Sequence, residues 1–388
     1  MQGNITMKSE GSYTTGFWSL FALFLMVFSC STYAATGLDK RIELAAEHII
    51  RMQLDSGLFR YEHDFVSGAD SQQNNIVRQA GAAFALGEYL LYSKDPVARE
   101  AIHRARSAFE RHSVAWGEGK LLAWNGKQDQ AKAGATALAI LATLFSAANE
   151  QALQSDGQLR GWVKGILALQ QPNGGFSSKP GSKMESAYSN GEIWLALTVL
   201  VDRSGDGVDP VLSGALEQAD NRFLAFYTDQ PDIGFFHWGM MAAANRFWST
   251  RDPRFSRFIA EQTRLFLEQL RPNTSSKSNS CYSVEGLLAG LEVLHAEKGY
   301  EGLSGQVGLR VDEEMQKNLR LQILPGQKNI RFSKLRYLKA PELERYSGAF
   351  LNGKYRPQIR IDATQHCLSA MLKDKARSAK STPAPKTH

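Results

Sequence analysis

The sequence predicts an all-α fold in which six helical hairpins close into a ring. Three observations lead to this prediction. Twelve amphipathic or apolar segments follow the N-terminal region, they pair into hairpins that recur every 43 to 61 residues, and strand-like segments are almost absent. Repeats of this size are typical of architectures built from stacked supersecondary units. Residues 328–338 are the one segment whose composition favours an extended chain.

The first helix of each hairpin is predicted to lie on the outside of the ring. Several of these segments open with Asp-Pro, at residues 95–96, 209–210 and 252–253. An aspartate caps free backbone amides and a proline suits the first helical turn, so these pairs mark helix starts. The predicted outer helices begin near Leu38, Asp95, Asp156, Asp209, Asp252 and Leu303.

The second helix of each hairpin is predicted to line the middle of the ring. These segments are more apolar and rich in small residues, as in 80–86, 135–142 and 286–291. A helix that is apolar around most of its circumference is buried on all sides. The predicted inner helices begin near Asn75, Lys132, Ala187, His237, Tyr282 and Ile361.

The two ends of the chain differ from the helical region. Residues 1–34 have the pattern of an export signal, because their apolar run at 17–28 is too short to span a bilayer. Cleavage after Ala34 fits this pattern, and residues 27–30 also resemble a lipoprotein box that would anchor Cys30 to the outer membrane through lipid. Both interpretations predict a periplasmic protein. One barrel domain at 36–375 follows, and 376–388 is predicted to be a disordered basic tail.

Cysteine and metal-ligand patterns place few constraints on function. Cys281 and Cys367 fall at the starts of the fifth and sixth inner helices, which a closed ring makes neighbours, so a disulfide or two buried thiols both fit. No cysteine and histidine cluster has zinc spacing, and no calcium loop is recognisable. We therefore predict no metal and no cofactor. Nothing in the sequence predicts the oligomeric state.

Positive charge is concentrated late in the chain, within a net charge of +6. Residues 326–360, before the last inner helix, combine nine Lys or Arg with two Glu and five aromatic residues. Such a loop can form one wall of a groove for an anionic glycan, or its aromatic residues can pack on the ring. Nucleic acid would also suit the charge, but the predicted export argues against it. The aromatic residues are Phe332, Tyr337, Tyr346, Phe350 and Tyr355.

Polar clusters occur where the inner helices begin. All inner helices start at one end of a ring of hairpins, so these side chains should converge on one funnel, where positive helix ends favour anionic groups. The predicted substrate-binding residues are Arg78, Gln79, Asn75, Tyr61, Glu185, Tyr188, His237, Trp238, Tyr282 and Arg360.

The clusters contain the groups for two kinds of sugar chemistry. Hydrolysis needs a proton donor and a second carboxylate on opposite sides of the bond. A uronate lyase or epimerase needs His or Tyr to move a proton next to a carboxylate that Arg neutralises. His237, His366, Tyr188 and Tyr282 suit the second chemistry. Each carboxylate also has a structural alternative, as a helix cap or an ion-pair partner.

The whole helical region resembles a known group of folds. Its hairpin repeat, the Gly-Gly-Phe loop at 174–176 and the aromatic and acidic residues at the inner-helix starts are similar to those of α/α toroids. Among these, the chain most resembles the six-hairpin glycosidase-like (α/α)6 barrels and the related polysaccharide lyases and uronate epimerases. The resemblance covers residues 38–375, and it implies carbohydrate chemistry without fixing the reaction.

The leading hypothesis is an exported glycoside hydrolase that acts on an anionic poly- or oligosaccharide. The alternatives are a lyase or epimerase, and a non-catalytic glycan-binding scaffold of envelope polysaccharide assembly. For hydrolysis, Glu285 and Asp362 are predicted to be the acid and base, with Glu192 in reserve. The supporting roles are His366 as the residue that orients Asp362, Arg78 and Arg360 as anion-binding groups, and Trp238 and Tyr188 as stacking surfaces.

Overall fold

Thirteen α-helices dominate the described part of the chain. The computed structural model describes residues 37–274, 277–331, 337–339 and 342–381. The helices are α1 (Leu38–Arg51), α2 (Ile76–Ser93), α3 (Pro96–Arg111), α4 (Ala133–Ser146), α5 (Glu150–Ser155), α6 (Gly157–Leu167), α7 (Ala187–Ser204), α8 (Pro210–Asp229), α9 (Ile233–Thr250), α10 (Pro253–Leu265), α11 (Cys281–Ala296), α12 (Glu301–Leu319) and α13 (Ile361–Ser381). The short helix α5 is additional to the twelve predicted helices. The all-α prediction is confirmed.

Six of these helices form a closed inner ring. Helices α2, α4, α7, α9, α11 and α13 each pack against the next in this order, and α13 packs against α2. Helices α3, α6, α8, α10 and α12 pack outside this ring against inner helices. The third and sixth inner helices, α7 and α13, therefore lie on opposite sides of the ring. This arrangement confirms the predicted barrel of six helical hairpins.

Burial distinguishes the inner helices from the outer ones. Along α4 every residue except Phe145 is buried, whereas α3 buries one alanine-rich face that ends at Phe109. The outer helices begin as their sequences predict, because Asp95, Asp209 and Asp252 each accept a hydrogen bond from a backbone amide two residues later.

Glycines let neighbouring inner helices approach closely. A Cβ atom at Gly286 of α11 would lie 2.7 Å from the Cα atom of His237 in α9. At Gly191 of α7 it would lie 2.6 Å from the Cβ atom of Trp238. Real Cβ atoms do not pack at these distances, so larger residues here would push the helices apart.

Short strands, which were not predicted from the sequence, connect the two ends of the helical region. The strands are β1 (Glu62–Asp64), β2 (Ala69–Asp70), β3 (Ser113–Trp116), β4 (Gly119–Leu122), β5 (Asn329–Arg331), β6 (Tyr337–Lys339), β7 (Leu351–Gly353) and β8 (Arg356–Arg360). A four-stranded sheet has the order β2–β1–β8–β7 and joins residues near 62–70 to residues 351–360. Its pairing places Glu62 opposite Arg360. The predicted extended segment at 328–338 contains β5 and the first two residues of β6, which pair in antiparallel fashion.

Cys281 and Cys367 form a disulfide that links the first turn of α11 to α13. The sequence was compatible with either this disulfide or two buried free thiols.

Helix α13 continues to Ser381, so residues 376–381 are helical and differ from the predicted disordered tail. Arg377 stabilises this extension through ion pairs with Asp374 and Asp312. The predicted leader at 1–34 and residues 382–388 lie outside the described residues. No helix in the described ranges is long and apolar enough to cross a bilayer.

Candidate active site in the funnel of the barrel

A cavity of about 620 Å³ lies where the inner helices begin. This volume is in the range of small-molecule sites. Ten of the fourteen residues predicted from the sequence line it, so the predicted convergence of polar clusters occurs. The lining residues are Asn75, Val77, Arg78, Lys132, Leu138, Ser178, Ser186, Tyr188, Ser189, Glu192, His237, Trp238, Tyr282, Arg360, Asp362, Gln365 and His366.

Two arginines hold the carboxylate of Asp362. Arg78 contributes Nε at 2.9 Å, while Arg360 donates from Nε at 2.6 Å and from Nη2 at 2.8 Å. Burial by itself would raise the pKa of Asp362, but the hydrogen bond from Arg360 and the two positive charges outweigh it and lower that pKa. Asp362 is therefore ionised at neutral pH and already engaged, which makes it a weak proton acceptor.

Glu285 is a partner of His366 and does not face the cavity. Its side chain is fully buried, and its Oε1 lies 2.9 Å from Nδ1 of His366. This differs from the prediction that His366 orients Asp362. His366 follows Asp362 by one helical turn, but its ring nitrogen points across to α11. Burial of the imidazole alone would lower the pKa of His366, but the charge of Glu285 and their hydrogen bond raise it.

His237 lies beside His366 and remains uncharged. Its side chain is 2% exposed, and neither ring nitrogen has a hydrogen-bond partner among the described residues. Burial, followed by the positive charges of His366 and Lys373, lowers the pKa of His237 well below its usual value. The ring centroids of His237 and His366 are 5.4 Å apart, and Tyr282 lies at 5.4 Å on another side of His237. Two imidazoles with opposite pKa shifts thus share one wall of the cavity.

Glu192 projects from the third inner helix into the same cavity. Its carboxyl group packs against the backbone of Gly134 in α4, where a Cβ atom would lie 1.7 Å from Oε2. Burial raises the pKa of Glu192 to about 8. At neutral pH this carboxyl group is therefore mostly protonated. It lies across the ring from the ionised Asp362, because α7 and α13 are opposite each other.

The predicted aromatic surfaces differ in their exposure. Tyr188 is 52% exposed at the rim of the cavity. Trp238 is only 3% exposed, because its ring packs against Phe84 and the two histidines, so it forms a wall of the cavity and differs from the predicted stacking surface. The hydroxyl of Tyr282 accepts a hydrogen bond of 2.5 Å from Arg271.

Three further predicted binding residues have structural roles outside the cavity. Gln79 is fully buried and bonds to the backbone amide and carbonyl of Phe59. The hydroxyl of Tyr61 accepts a hydrogen bond from Arg78. Glu185 accepts hydrogen bonds from Asn173 and Asn190 in the region of the Gly-Gly-Phe loop. Asn75 does line the cavity, but its side chain caps α2.

The late basic segment contributes less to the cavity than predicted. Arg360 lines it, but Phe350 is fully buried and Tyr346 is stacked on His63 of β1. Tyr337 is 63% exposed on the β5–β6 hairpin, and Phe332 lies outside the described residues. Of the two interpretations of this segment, packing on the ring holds for Tyr346 and Phe350.

Some lining residues were not selected from the sequence. Gln365 lies three residues after Asp362, and Ser189 lies three residues before Glu192, so helical spacing could have found both. Ser178 reaches the cavity from a loop, where no periodic signal exists. Lys132 lies at the start of α4 and adds a positive charge. In the described part of the chain, no group of three His, Cys, Asp or Glu residues is arranged to hold a metal.

Comparisons with known proteins find similarity only in structure. Neither a family model nor a curated protein matches the sequence. The α-1,6-mannanase GH76A from Salegentibacter sp. HEL1_6 superimposes with a TM-score of 0.63 at 10% identity, over 88% of this chain and 99% of its own. An unsaturated glucuronyl hydrolase specific for heparin gives 0.60 at 8% identity, over 88% and 98%.

A sugar epimerase from a ruminal bacterium gives a TM-score of 0.57 at 9% identity, over 87% of this chain and 98% of that chain. Structural superposition at identities this low establishes the shared architecture but does not establish the reaction. The chain has an (α/α)6-barrel fold, and these three structures share its architecture.

Proposed function

We propose that this chain is a carbohydrate-active enzyme that moves a proton at the carbon next to the carboxylate of an acidic sugar. The pair His237 and His366 carries the proposal. Both imidazoles line one cavity, with ring centroids 5.4 Å apart, and their pKa values are displaced in opposite directions. An imidazole with a lowered pKa beside one with a raised pKa divides the roles of base and acid between the two residues.

Proton abstraction in this cavity has two possible outcomes. Neutral His237 takes the proton from the carbon, and the electron pair moves towards the sugar carboxylate. If His366, on the same wall as His237, protonates a departing oxygen on the next carbon, the carbon–oxygen bond breaks and the product is an unsaturated sugar. If the opposite face of the carbon instead receives a proton from the other side of the cavity, where Glu192 is protonated at neutral pH, the product is an epimer.

The charge of the cavity favours an anionic sugar. Arg78, Lys132 and Arg360 line it, while Asp362 is the carboxylate there that is ionised at neutral pH, since burial raises the pKa of Glu192 to about 8. The inner-helix N-termini add positive potential. A guanidinium has five N–H donors. Arg78 and Arg360 therefore each retain N–H groups that are not used in the bonds to Asp362 and Tyr61. These donors can stabilise charge that develops on a sugar carboxylate.

Solvent isotope uptake tests the proposed reaction directly. The chain is incubated in D2O with oligosaccharides of galacturonate, mannuronate and hyaluronan, and the products are analysed by NMR and mass spectrometry. Deuterium at the carbon next to the carboxylate indicates epimerisation, and ultraviolet absorbance from an unsaturated uronate indicates elimination. His237→Gln should abolish both signals. Binding of an oligosaccharide without deuterium uptake, unsaturation or cleavage would contradict the proposal and favour a scaffold.

Hydrolysis is the second candidate, and Glu192 is the observation that favours it. A buried carboxyl group with a pKa of about 8 remains protonated at neutral pH and can donate to a leaving oxygen, while ionised Asp362 lies across the ring. This proposal replaces Glu285 by Glu192 as the acid. Its test is the appearance of new reducing ends without an unsaturated product, and Glu192→Gln should remove that activity.

We also propose that the chain works outside the cytoplasm, in the periplasm or on the outer membrane. The disulfide between Cys281 and Cys367 supports this, since such bonds persist mainly in oxidising compartments. Cell fractionation followed by mass spectrometry of the mature N-terminus distinguishes cleavage after Ala34 from lipidation of Cys30. An uncleaved chain in the cytoplasm would contradict the proposal.

A further inference from the structure

A second cavity opens beside the funnel at the same end of the ring. Its volume is about 430 Å³, and it lies between α8 and the starts of α7 and α9. Both this volume and that of the central cavity fall in the range of ligand sites. Its charged and aromatic lining includes Lys183, Glu185, Arg222, Phe226 and Asp232.

The two cavities are neighbours along one short segment of chain. Ala187 lines the second cavity, whereas the adjacent residues Ser186 and Tyr188 line the central one. Tyr188 stands at this boundary with half of its surface exposed, and its ring packs on Gly234, where a Cβ atom would lie 2.6 Å from Cε2. Burial raises the pKa of Tyr188, and so do Tyr282 beside the central cavity and Asp232 beside the second. An exposed aromatic ring thus connects the two cavities.

The lining of the second cavity contains as many positively charged donors as negatively charged acceptors. Arg222 donates to Glu185 over 3.3 Å and stacks at 3.9 Å on the ring of Phe226, yet its buried Nε has no partner among the described residues. No carboxylate in the described ranges forms an ion pair with Lys183. Two cations and two carboxylates give no net charge, so the lining suits the many hydroxyl groups of a sugar better than a single ion.

We propose that this cavity is a second sugar subsite, and that the substrate is an oligosaccharide with one unit in the funnel and an adjoining unit reached across Tyr188. The inference rests on the proposed function in that it takes the occupant of the funnel to be a sugar. The exposed ring of Tyr188 stacks on the chain between the two units, and Lys183 and Arg222 donate hydrogen bonds to hydroxyl groups of the adjoining unit.

Binding measurements across chain lengths test the subsite without requiring turnover. Calorimetric titration of the His237→Gln protein uses mono-, di- and tetrasaccharides of galacturonate, mannuronate and hyaluronan. In the series that binds, the tetrasaccharide should bind at least tenfold more tightly than the monosaccharide, as one charge-assisted hydrogen bond can supply. Lys183→Met should weaken tetrasaccharide binding about tenfold more than monosaccharide binding. Lys179→Met, at an exposed lysine of the same loop, is the matched control and should change neither.

These measurements distinguish a failure of the second-subsite proposal from a failure of the proposed reaction. Affinity that is independent of length in all three series, or an equal loss of mono- and tetrasaccharide affinity in Lys183→Met, overturns the second subsite. Length-dependent binding by a wild-type protein that shows no deuterium uptake and no cleavage supports the subsite and contradicts the proposed reaction. Thermal unfolding of each variant confirms that it is folded.

Discussion

The Nδ1–H group of His366 donates a hydrogen bond to Oε1 of Glu285 over 2.9 Å, and this contact joins the sixth inner helix to the fifth. The buried carboxylate raises the pKa of His366 against the effect of burial. Proton donation by His366 requires the charged imidazole, which is lost as the pH rises through its pKa. The hydrogen bond therefore sets the upper pH limit of the proposed elimination.

Glu285→Gln should shift that limit to lower pH. Without the carboxylate, burial dominates and the pKa of His366 falls, so activity is lost at a lower pH than in the wild type. The pH profile of unsaturated-product formation and an NMR titration of the imidazole measure this shift. Glu268→Gln, at an exposed glutamate of the described chain, is the control. Unchanged profiles in both variants would show that Glu285 does not tune His366.

Glu192 should make stability depend on pH. The folded state raises the pKa of Glu192 from 4.5 to about 8, so the folded chain favours the protonated form. The stability that this gives is present below pH 4.5 and is lost as the pH rises towards 8, by up to about 1.4 kcal/mol per pH unit.

Relative to the wild type, Glu192→Gln should therefore unfold at similar denaturant concentrations near pH 4.5 and at higher ones near pH 8. Urea unfolding at both pH values measures the difference in the free energy of unfolding. Glu217→Gln, at an exposed position of α8, should show no such trend. A constant difference between wild type and Glu192→Gln over this range would mean that the carboxyl group titrates normally.

Loss of the disulfide should lower stability. Cys281 and Cys367 are separated by 86 residues, so their cross-link restricts the unfolded chain. The double variant Cys281→Ser and Cys367→Ser is expected to lose about 2–4 kcal/mol of the free energy of unfolding. Wild-type protein in a reducing agent should match it in urea unfolding. If the reductant leaves wild-type stability unchanged, the bond is absent in solution.

Gly286→Ala should move His237. The added Cβ atom would lie 2.7 Å from the Cα atom of His237, so α9 and α11 must separate, at a cost of about 1–3 kcal/mol. Gly308→Ala in α12 is the matched control, because no atom lies within 4 Å of the added Cβ. This control should stabilise the helix by about 0.5–1 kcal/mol. Equal unfolding free energies in the two variants would contradict the close packing of α9 and α11.

The helices could be predicted because their signals are local. Asp-Pro pairs mark the starts of α3, α8 and α10, and the small apolar residues of α4 mark an inner helix. The start of α9 was predicted four residues too late, near His237, because the cap at Asp232 was not recognised. The four-stranded sheet was missed because its strands have two to five residues, too few for an alternating pattern.

The site could be predicted only as a set of residues near one funnel. Spacing along α13 placed Asp362 and His366 on one face, but it could not show that Asp362 turns to Arg78 while His366 turns to Glu285. Those choices depend on which inner helix is the neighbour and on how closely it packs. In the same way, the sequence could not show that Gln79, the residue after Arg78, bonds to the backbone of Phe59.

The sequence by itself determined the six hairpins, the identity of the inner helices and the end of the ring at which polar groups meet, because periodicity and caps act within a few residues of chain. Only the tertiary structure decided which carboxyl group is protonated, which imidazole has the raised pKa and which residues line the cavity. Burial and the distance between charges set these properties, and both arise when residues as far apart as Glu285 and His366 are brought together by closure of the ring.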